Sequence, residues 1–243
     1  MKKRSALLCT LTIALALGGT IASPIASTTN AAAAKQSLTF VSGGSYYGQV
    51  ENGKAHGKGT VKWPNGKTYS GSFVNGLRSG TGKYINEYSD SDYRYKVVYN
   101  GSWNNDRMNG DGTLTEQRFL EKDHMVSNQI QTGTFKNNAL LSGYSVTRAE
   151  ADPEYSFTYQ TNNMTLNVLE NQGNLLPLWK KGSLFSVTYK KGTTSHSYSL
   201  FPEESAKKER ERQASIKYLK SITTQVTPHL QKFEQLSKQL SLK

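Results

Sequence analysis

The feature that most constrains this chain is an internal repeat of about 23 residues. From Tyr46 the sequence reads YYGQVENGKAHGKGTVKWPNGKT, and from Tyr69 it reads YSGSFVNGLRSGTGKYI. Gly48 recurs as Gly71, Gly53 as Gly76, Gly57 as Gly80 and Gly59 as Gly82. A third copy opens at Tyr99 (YNGSWNNDRMNGDGTL) with Gly101, Trp103, Gly110 and Gly112. It arrives 30 residues after Tyr69, which places an insertion of about seven residues in the tract from Glu87 to Tyr95. A weak fourth copy runs from Gln131 (QTGTFKNNALLSG) to Gly143. Repetition at such a period means one supersecondary unit stacked on its neighbours.

Each unit reads as a β-hairpin. Tyr46, Gly48 and Val50 share one face of a short strand, and Asn52-Gly53 suits a type I′ turn because both residues tolerate positive φ. The returning strand carries Gly57, Gly59, Val61 and Trp63, and Pro64-Asn65-Gly66 turns the chain into the next unit. Glycine weakens a strand unless something must approach the backbone closely, and rings at Tyr46, Tyr69, Phe73, Tyr99 and Trp103 supply that reason. The composition agrees: 21 glycines, 14 tyrosines and only 35% hydrophobic residues, with 12 of the glycines inside Tyr46–Leu114. A thick Val/Ile/Leu enzyme core is excluded.

The pattern Tyr-x-Gly-x-aromatic-x-x-Gly-x-x-His-Gly-x-Gly, with His56-Gly57-Lys58-Gly59 as its fullest instance, resembles the MORN (membrane occupation and recognition nexus) repeat. The second copy has Ser79 at the His position, and the third has Asp106 where glycine is expected. The resemblance implies an elongated sheet of stacked hairpins over 46–143, in copies 46–68, 69–98, 99–130 and 131–143. MORN arrays serve as lipid-associated, dimerising or protein-binding platforms, and the resemblance names no reaction.

Outside the repeats the chain divides further. Lys2, Lys3 and Arg4, an apolar stretch from Ala6 to Ala22 and Ala31–Ala34 read as a signal peptide over 1–34 of exported bacterial type, cleaved near Ala34. The lone Cys9 sits inside that apolar run, out of place for lipidation. Residues 35–45 read as a linker. Residues 144–202 read as a small β module, separate in preference to a degenerate extension of the repeat sheet, with strands at Tyr155–Gln160, Met164–Leu169, Ser183–Lys190 and Ser195–Phe201. Residues 203–243 read as an amphipathic helical segment interrupted at Pro228, one kinked helix or two, with Ile216, Leu219, Val226, Leu230, Phe233 and Leu240 on one seam. That seam packs on the β module or, alternatively, forms a dimerising or partner-binding coiled coil. The fold class is therefore mainly β, with a helical C-terminus.

Motifs for chemistry are missing. His56, His124, His196 and His229 have no metal-ligand spacing, and Gly66-Lys67-Thr68 lacks the earlier glycine of a phosphate loop. No catalytic, cofactor or metal residue is assigned. The net charge of +12 becomes +9 when Lys2, Lys3 and Arg4 are removed. It is too spread for a nucleic-acid patch, but suits anionic lipid or a cell-wall polymer. The expectation is a secreted or cell-envelope protein without enzymatic activity, acting as a binding and assembly scaffold. Its partners would be an anionic membrane surface, a protein, or a second copy through the C-terminal helix. A carbohydrate- or wall-binding module is the alternative, and an enzyme with its site in 143–202 a further one.

Overall fold

A computed structural model describes residues 34–41, 43–120 and 123–242. The expected signal segment therefore lies outside the described residues apart from Ala34. The strands are β1 (Lys35–Thr39), β2 (Ser45–Glu51), β3 (Lys54–Lys62), β4 (Thr68–Val74), β5 (Leu77–Ser89), β6 (Arg94–Asn104), β7 (Arg107–Leu120), β8 (His124–Lys136), β9 (Ala139–Ala149), β10 (Tyr155–Gln160), β11 (Met164–Glu170), β12 (Ser186–Lys191) and β13 (Thr194–Ser199). They pair in chain order as one antiparallel 13-stranded sheet. The helices are α1 (Leu175–Lys181), α2 (Ala206–Ser221) and α3 (Thr223–Ser237).

The repeat hairpins follow the sequence closely. Asn52-Gly53 and Asn75-Gly76 have positive φ at both turn residues, as do Asn105-Asp106 and Asn137-Asn138. The second turn residue of each later hairpin donates its N–H to the preceding hairpin: Gly76 to Ala55 (2.8 Å), Asp106 to Arg78 (3.0 Å) and Asn138 to Met108 (3.1 Å). The weak fourth copy is thus a hairpin of the same kind, β8–β9. The insertion lengthens β5 and β6, whose tip is held by the Asp90 carboxylate accepting from the Asp92 and Tyr93 N–H groups and the Tyr95 hydroxyl.

One glycine from each of eight successive strands lies in a single row of partners: Gly48, Gly59, Gly71, Gly82, Gly101, Gly112, Gly133 and Gly143. The tyrosines lie over it. A Cβ on Gly82 would fall 2.3 Å from the Tyr69 hydroxyl oxygen and 2.4 Å from its ring, so a side chain there collides with the phenol. The Tyr69 hydroxyl donates to the Ser72 carbonyl and that of Tyr99 to Ser102, both 3.0 Å, where the pairing register slips by a bulge. Edge-to-face contacts then link the rings: Tyr46–Phe73 (5.2 Å), Phe73–Tyr69 (5.1 Å), Tyr69–Trp103 (5.4 Å), Trp103–Tyr99 (5.2 Å) and Tyr99–Phe135 (5.2 Å).

Three expectations are corrected. Residues 35–39 are a strand, not a linker, because Lys35–Thr39 pairs along its length with β2. Residues 155–199 do not leave the sheet: β10 pairs with β9, from Tyr155↔Arg148 to Gln160↔Gly143. They do have a core of their own, however. The helical break comes at Ile222 instead of Pro228, which lies inside α3. Helix α1 was not foreseen; it buries Leu175 and Trp179 and stops at Gly182, which has φ +74°.

The two cores lie on opposite faces of the one sheet. Direct partners across antiparallel strands share a face. The row Tyr46, Val61, Tyr69, Tyr84, Tyr99, Leu114 continues as Gln131, Ser145, Thr158, Asn167, Thr188, Ser197, turning from apolar to polar. The neighbouring row Tyr47, Thr60, Ser70, Lys83, Asn100, Thr113, Thr132 continues as Tyr144, Tyr159, Leu166, Tyr189, turning the other way. Helix α3 covers this second apolar area beside β9, while α2 lies against β13. The whole helix seam is buried there, with Val226, Leu230 and Phe233 at 0% exposure. That apolar surface is spent inside the chain, which leaves none of the seam free for a coiled-coil partner.

Candidate functional site

Opposite the rings, the first half of the sheet presents a polar trough. Its floor is the backbone of the glycine row, and its walls are the side chains on either side of that row that point away from the ring core. Lys35, Tyr47, Lys58, Thr60, Ser70, Thr81, Lys83 and Asn100 line about 510 Å3 of open space. The local cause is the alternation of the strands. Tyr46 and Gly48 face the rings, so Tyr47 between them faces outward, 58% exposed.

Short polar side chains hold the walls in register. The Lys58 ammonium donates to the Ser72 hydroxyl (2.8 Å), and Thr60 donates to Ser70 (3.1 Å). Further along, Thr113 and Thr132 share a hydrogen bond of 3.2 Å. The Lys35 ammonium lies 6.0 Å from the centre of the Tyr47 ring. Three ammonium groups, a row of hydroxyls and bare backbone make a surface able to receive phosphate or carboxylate oxygens and sugar hydroxyls. At its far end the row meets Tyr144, whose hydroxyl is 2.9 Å from His229 Nδ1 on α3. Burial holds that histidine below its ordinary pKa.

The residues singled out in the sequence fall into the framework of this trough. Tyr46, Tyr69, Phe73, Tyr99 and Trp103 are buried ring-face residues, and Trp63 is half-buried beside them. Gly48, Gly59, Gly71 and Gly82 form its floor and Gly101 and Gly112 continue the same row. Gly53 and Gly76 lie in the turns, and Gly57, Gly80 and Gly110 adopt positive φ on the returning strands. His56 stands 3.0 Å from Glu51 at the rim of its hairpin, away from any cluster of titratable groups. Among the described residues no group of three His, Cys, Asp or Glu side chains could hold a metal ion.

Sequence reasoning missed Lys35, Lys58, Lys83 and the hydroxyl row. For Lys58, Lys83 and the hydroxyls the signal was present: they stand one position to either side of a repeat glycine, on the phase opposite to the rings, whereas Lys35 joins them only through the pairing of β1 with β2. It also missed the exchange of faces. In β2–β7 the apolar residues stand two positions from the row glycine, whereas in β9 Tyr144 and Val146 stand one and three positions from Gly143. A one-residue change of phase sends every side chain to the other face.

Comparison with known proteins agrees with the hairpin geometry. The family model described as MORN repeat matches residues 46–68, 69–86 and 99–115. Over 104 residues the chain is 33% identical to alsin from Rattus norvegicus and to alsin from Homo sapiens, an alignment covering 43% of this chain and 6% of alsin. It is 40% identical over 80 residues to MORN repeat-containing protein 3 from Xenopus laevis, covering 32% of this chain and 33% of that protein. The chain thus spans a third or less of the length of these relatives.

Proposed function

We propose that this chain, which carries three MORN repeats, is a non-catalytic scaffold whose polar trough docks on the phosphate-bearing face of an anionic membrane. The coarser part, a repeat platform for binding or assembly, rests on the matched repeats themselves. The finer part rests on one observation: Lys35, Lys58 and Lys83 line the same trough, floored by glycine backbone and flanked by Thr60, Ser70 and Thr81. Each lysine near such a surface contributes about 1 kcal/mol, so three give reversible, salt-sensitive attachment. Among the described residues no helix is long and apolar enough to cross a membrane, which suits attachment from outside the bilayer. Export with cleavage near Ala34 belongs to the same reading, because it delivers the sheet to an envelope surface.

The test is sedimentation with vesicles of phosphatidylcholine alone and of phosphatidylcholine with phosphatidylglycerol, at low and high salt. The expected result is binding to the anionic vesicles only, lost at high salt and lost in the Lys35→Ala/Lys58→Ala/Lys83→Ala variant. Equal sedimentation of the variant, or none of the parent protein at low salt, overturns the membrane reading. Parallel sedimentation with purified cell wall decides between lipid and wall polymer.

A further inference from the structure

The ring face carries a second cavity, separated from the trough by the thickness of the sheet. It holds about 540 Å3 and is lined by Trp63, Pro64, Asn65, Lys67, Arg78 and Tyr84. That volume suits a small molecule and is short for an extended peptide.

The cavity is built on firm supports. The turn between β3 and β4 closes by two backbone bonds, Trp63 N–H to the Lys67 carbonyl (2.9 Å) and Gly66 N–H to the Trp63 carbonyl (3.1 Å). The Trp63 indole rests against Gly44, where a Cβ would come within 2.9 Å of the ring. Tyr84 meets Trp103 edge-on at 6.0 Å. Arg78 lies over the Trp103 ring at 4.2 Å and is neutralised by Asp106, so its charge is already matched. Lys67 forms no ion pair among the described residues and lies half-buried at the cavity.

The insertion extends this wall. Strand β4 pairs with β5 only as far as Thr68↔Ile85, so Asn86 to Ser89 run on without a partner on that side. Asn86 and Tyr88 continue the face of Tyr84. Tyr88 is 45% exposed, and the buried Asn86 Oδ1 has no hydrogen-bond partner.

From this juxtaposition of ring faces, the Asn65 amide and one unmatched ammonium, we infer that the cavity binds an acidic saccharide. The C–H face of a pyranose lies against Trp63 and Tyr84, its hydroxyls bond to Asn65, and its carboxylate pairs with Lys67. A sugar is favoured over a purely aromatic anion because the exposed Asn65 amide beside the rings can exchange hydrogen bonds with hydroxyls.

The site is tested by titrating the protein with a galacturonate oligosaccharide, a neutral glucan oligosaccharide of equal length, and benzoate. Tryptophan emission and calorimetry are the readouts. Trp103 and Trp179 are 5% and 2% exposed, so the emission change comes chiefly from Trp63. Saturable binding of the galacturonate is expected, with the neutral glucan weaker by about tenfold and the preference abolished in Lys67→Met, as loss of one charge-assisted hydrogen bond requires. An unchanged thermal midpoint in Lys67→Met shows that the fold is kept. Absence of binding by both readouts, equal affinity for charged and neutral sugars, or benzoate binding as tightly as the sugar overturns the inference. The triple lysine variant of the trough should bind the sugar normally, so failure of the membrane reading leaves this result readable by itself.

Discussion

Arg78 and Asp106 lock two successive repeats together. The Asp106 carboxylate, 2.9 Å from both the Arg78 backbone N–H and Nε, accepts from each, and its carbonyl accepts from Arg78 Nη2 at 2.8 Å. Asp106 occupies the turn position where the other two matched repeats have glycine, with φ +64°. The departure from the repeat pattern is therefore a substitution with a structural return, in which an acid takes over the turn and fixes the arginine on the Trp103 ring.

Replacing Asp106 by glycine consequently tests whether the pattern or the contact matters more. The glycine accepts the backbone angle without strain but abolishes both carboxylate bonds. Asp106→Gly is expected to lower the unfolding free energy by about 1–2 kcal/mol in urea titration. A neutral or stabilising result would show that the turn angle dominates.

The repeat glycines give a graded pair of variants. Gly82→Ala drives a methyl into the Tyr69 ring, while Gly53 has open space around it and only its φ of +72° to protect. The first should cost about 1–3 kcal/mol and alter the near-ultraviolet circular dichroism of the rings. The second should cost about 1 kcal/mol with that spectrum intact.

Alkaline pH should unfold the protein before a generic basic protein of its size. Burial pushes the Tyr69 and Tyr198 phenols up to about 12, against an ordinary 10.0. A phenol whose folded pKa is raised favours the folded state while it is protonated. Its contribution is complete below pH 10 and is lost as pH rises towards 12. Unfolding midpoints measured from pH 8 to 12 should be flat to about 10 and then fall, with a shallower fall in Tyr69→Phe.

Phe233 on α3 is fully buried and meets Tyr144 edge-on at 5.7 Å. Phe233→Ala should cost about 3–5 kcal/mol within the second core. The rings of the first core lie on the other face of the sheet and depend on neighbour contacts of their own. Hydrogen exchange should therefore quicken over 155–199 and in the helices while Tyr46–Trp103 stays protected. Uniform loss of protection along the chain would argue for one cooperative unit.

How much of this was legible depended on where the chain repeats itself. Asn52-Gly53, Asn75-Gly76 and the spacing of Tyr46, Tyr69 and Tyr99 carry local turn chemistry and ring-over-glycine packing, so hairpins and framework residues could be read directly. Even Gly133 and Phe135 in the weak copy kept their places. Beyond Gly143 the pairing is set by continued sheet addition, which leaves no local signature. A polar strand such as Lys35–Thr39 looks like linker until its partner is known. The buried seam from Ile216 to Leu240 was visible as periodicity, but periodicity does not say whether a sheet or another helix covers it. The break at Ile222 escaped because Pro228, the stronger breaker, is accommodated within α3.

The exchange of faces between β8 and β9 also sets an order of events during synthesis. The ring core draws on residues from Leu38 to Leu140 and is complete once β9 has begun to emerge. The other core begins at Ile130 and closes only with Leu240. Strands β10–β13 must therefore wait with an uncovered apolar side until α2 and α3 arrive. The early repeats give them an edge to pair with, but no shelter for that side. The stretch between Phe157 and Tyr198 is where a stalled or truncated chain would be most prone to stick to its neighbours.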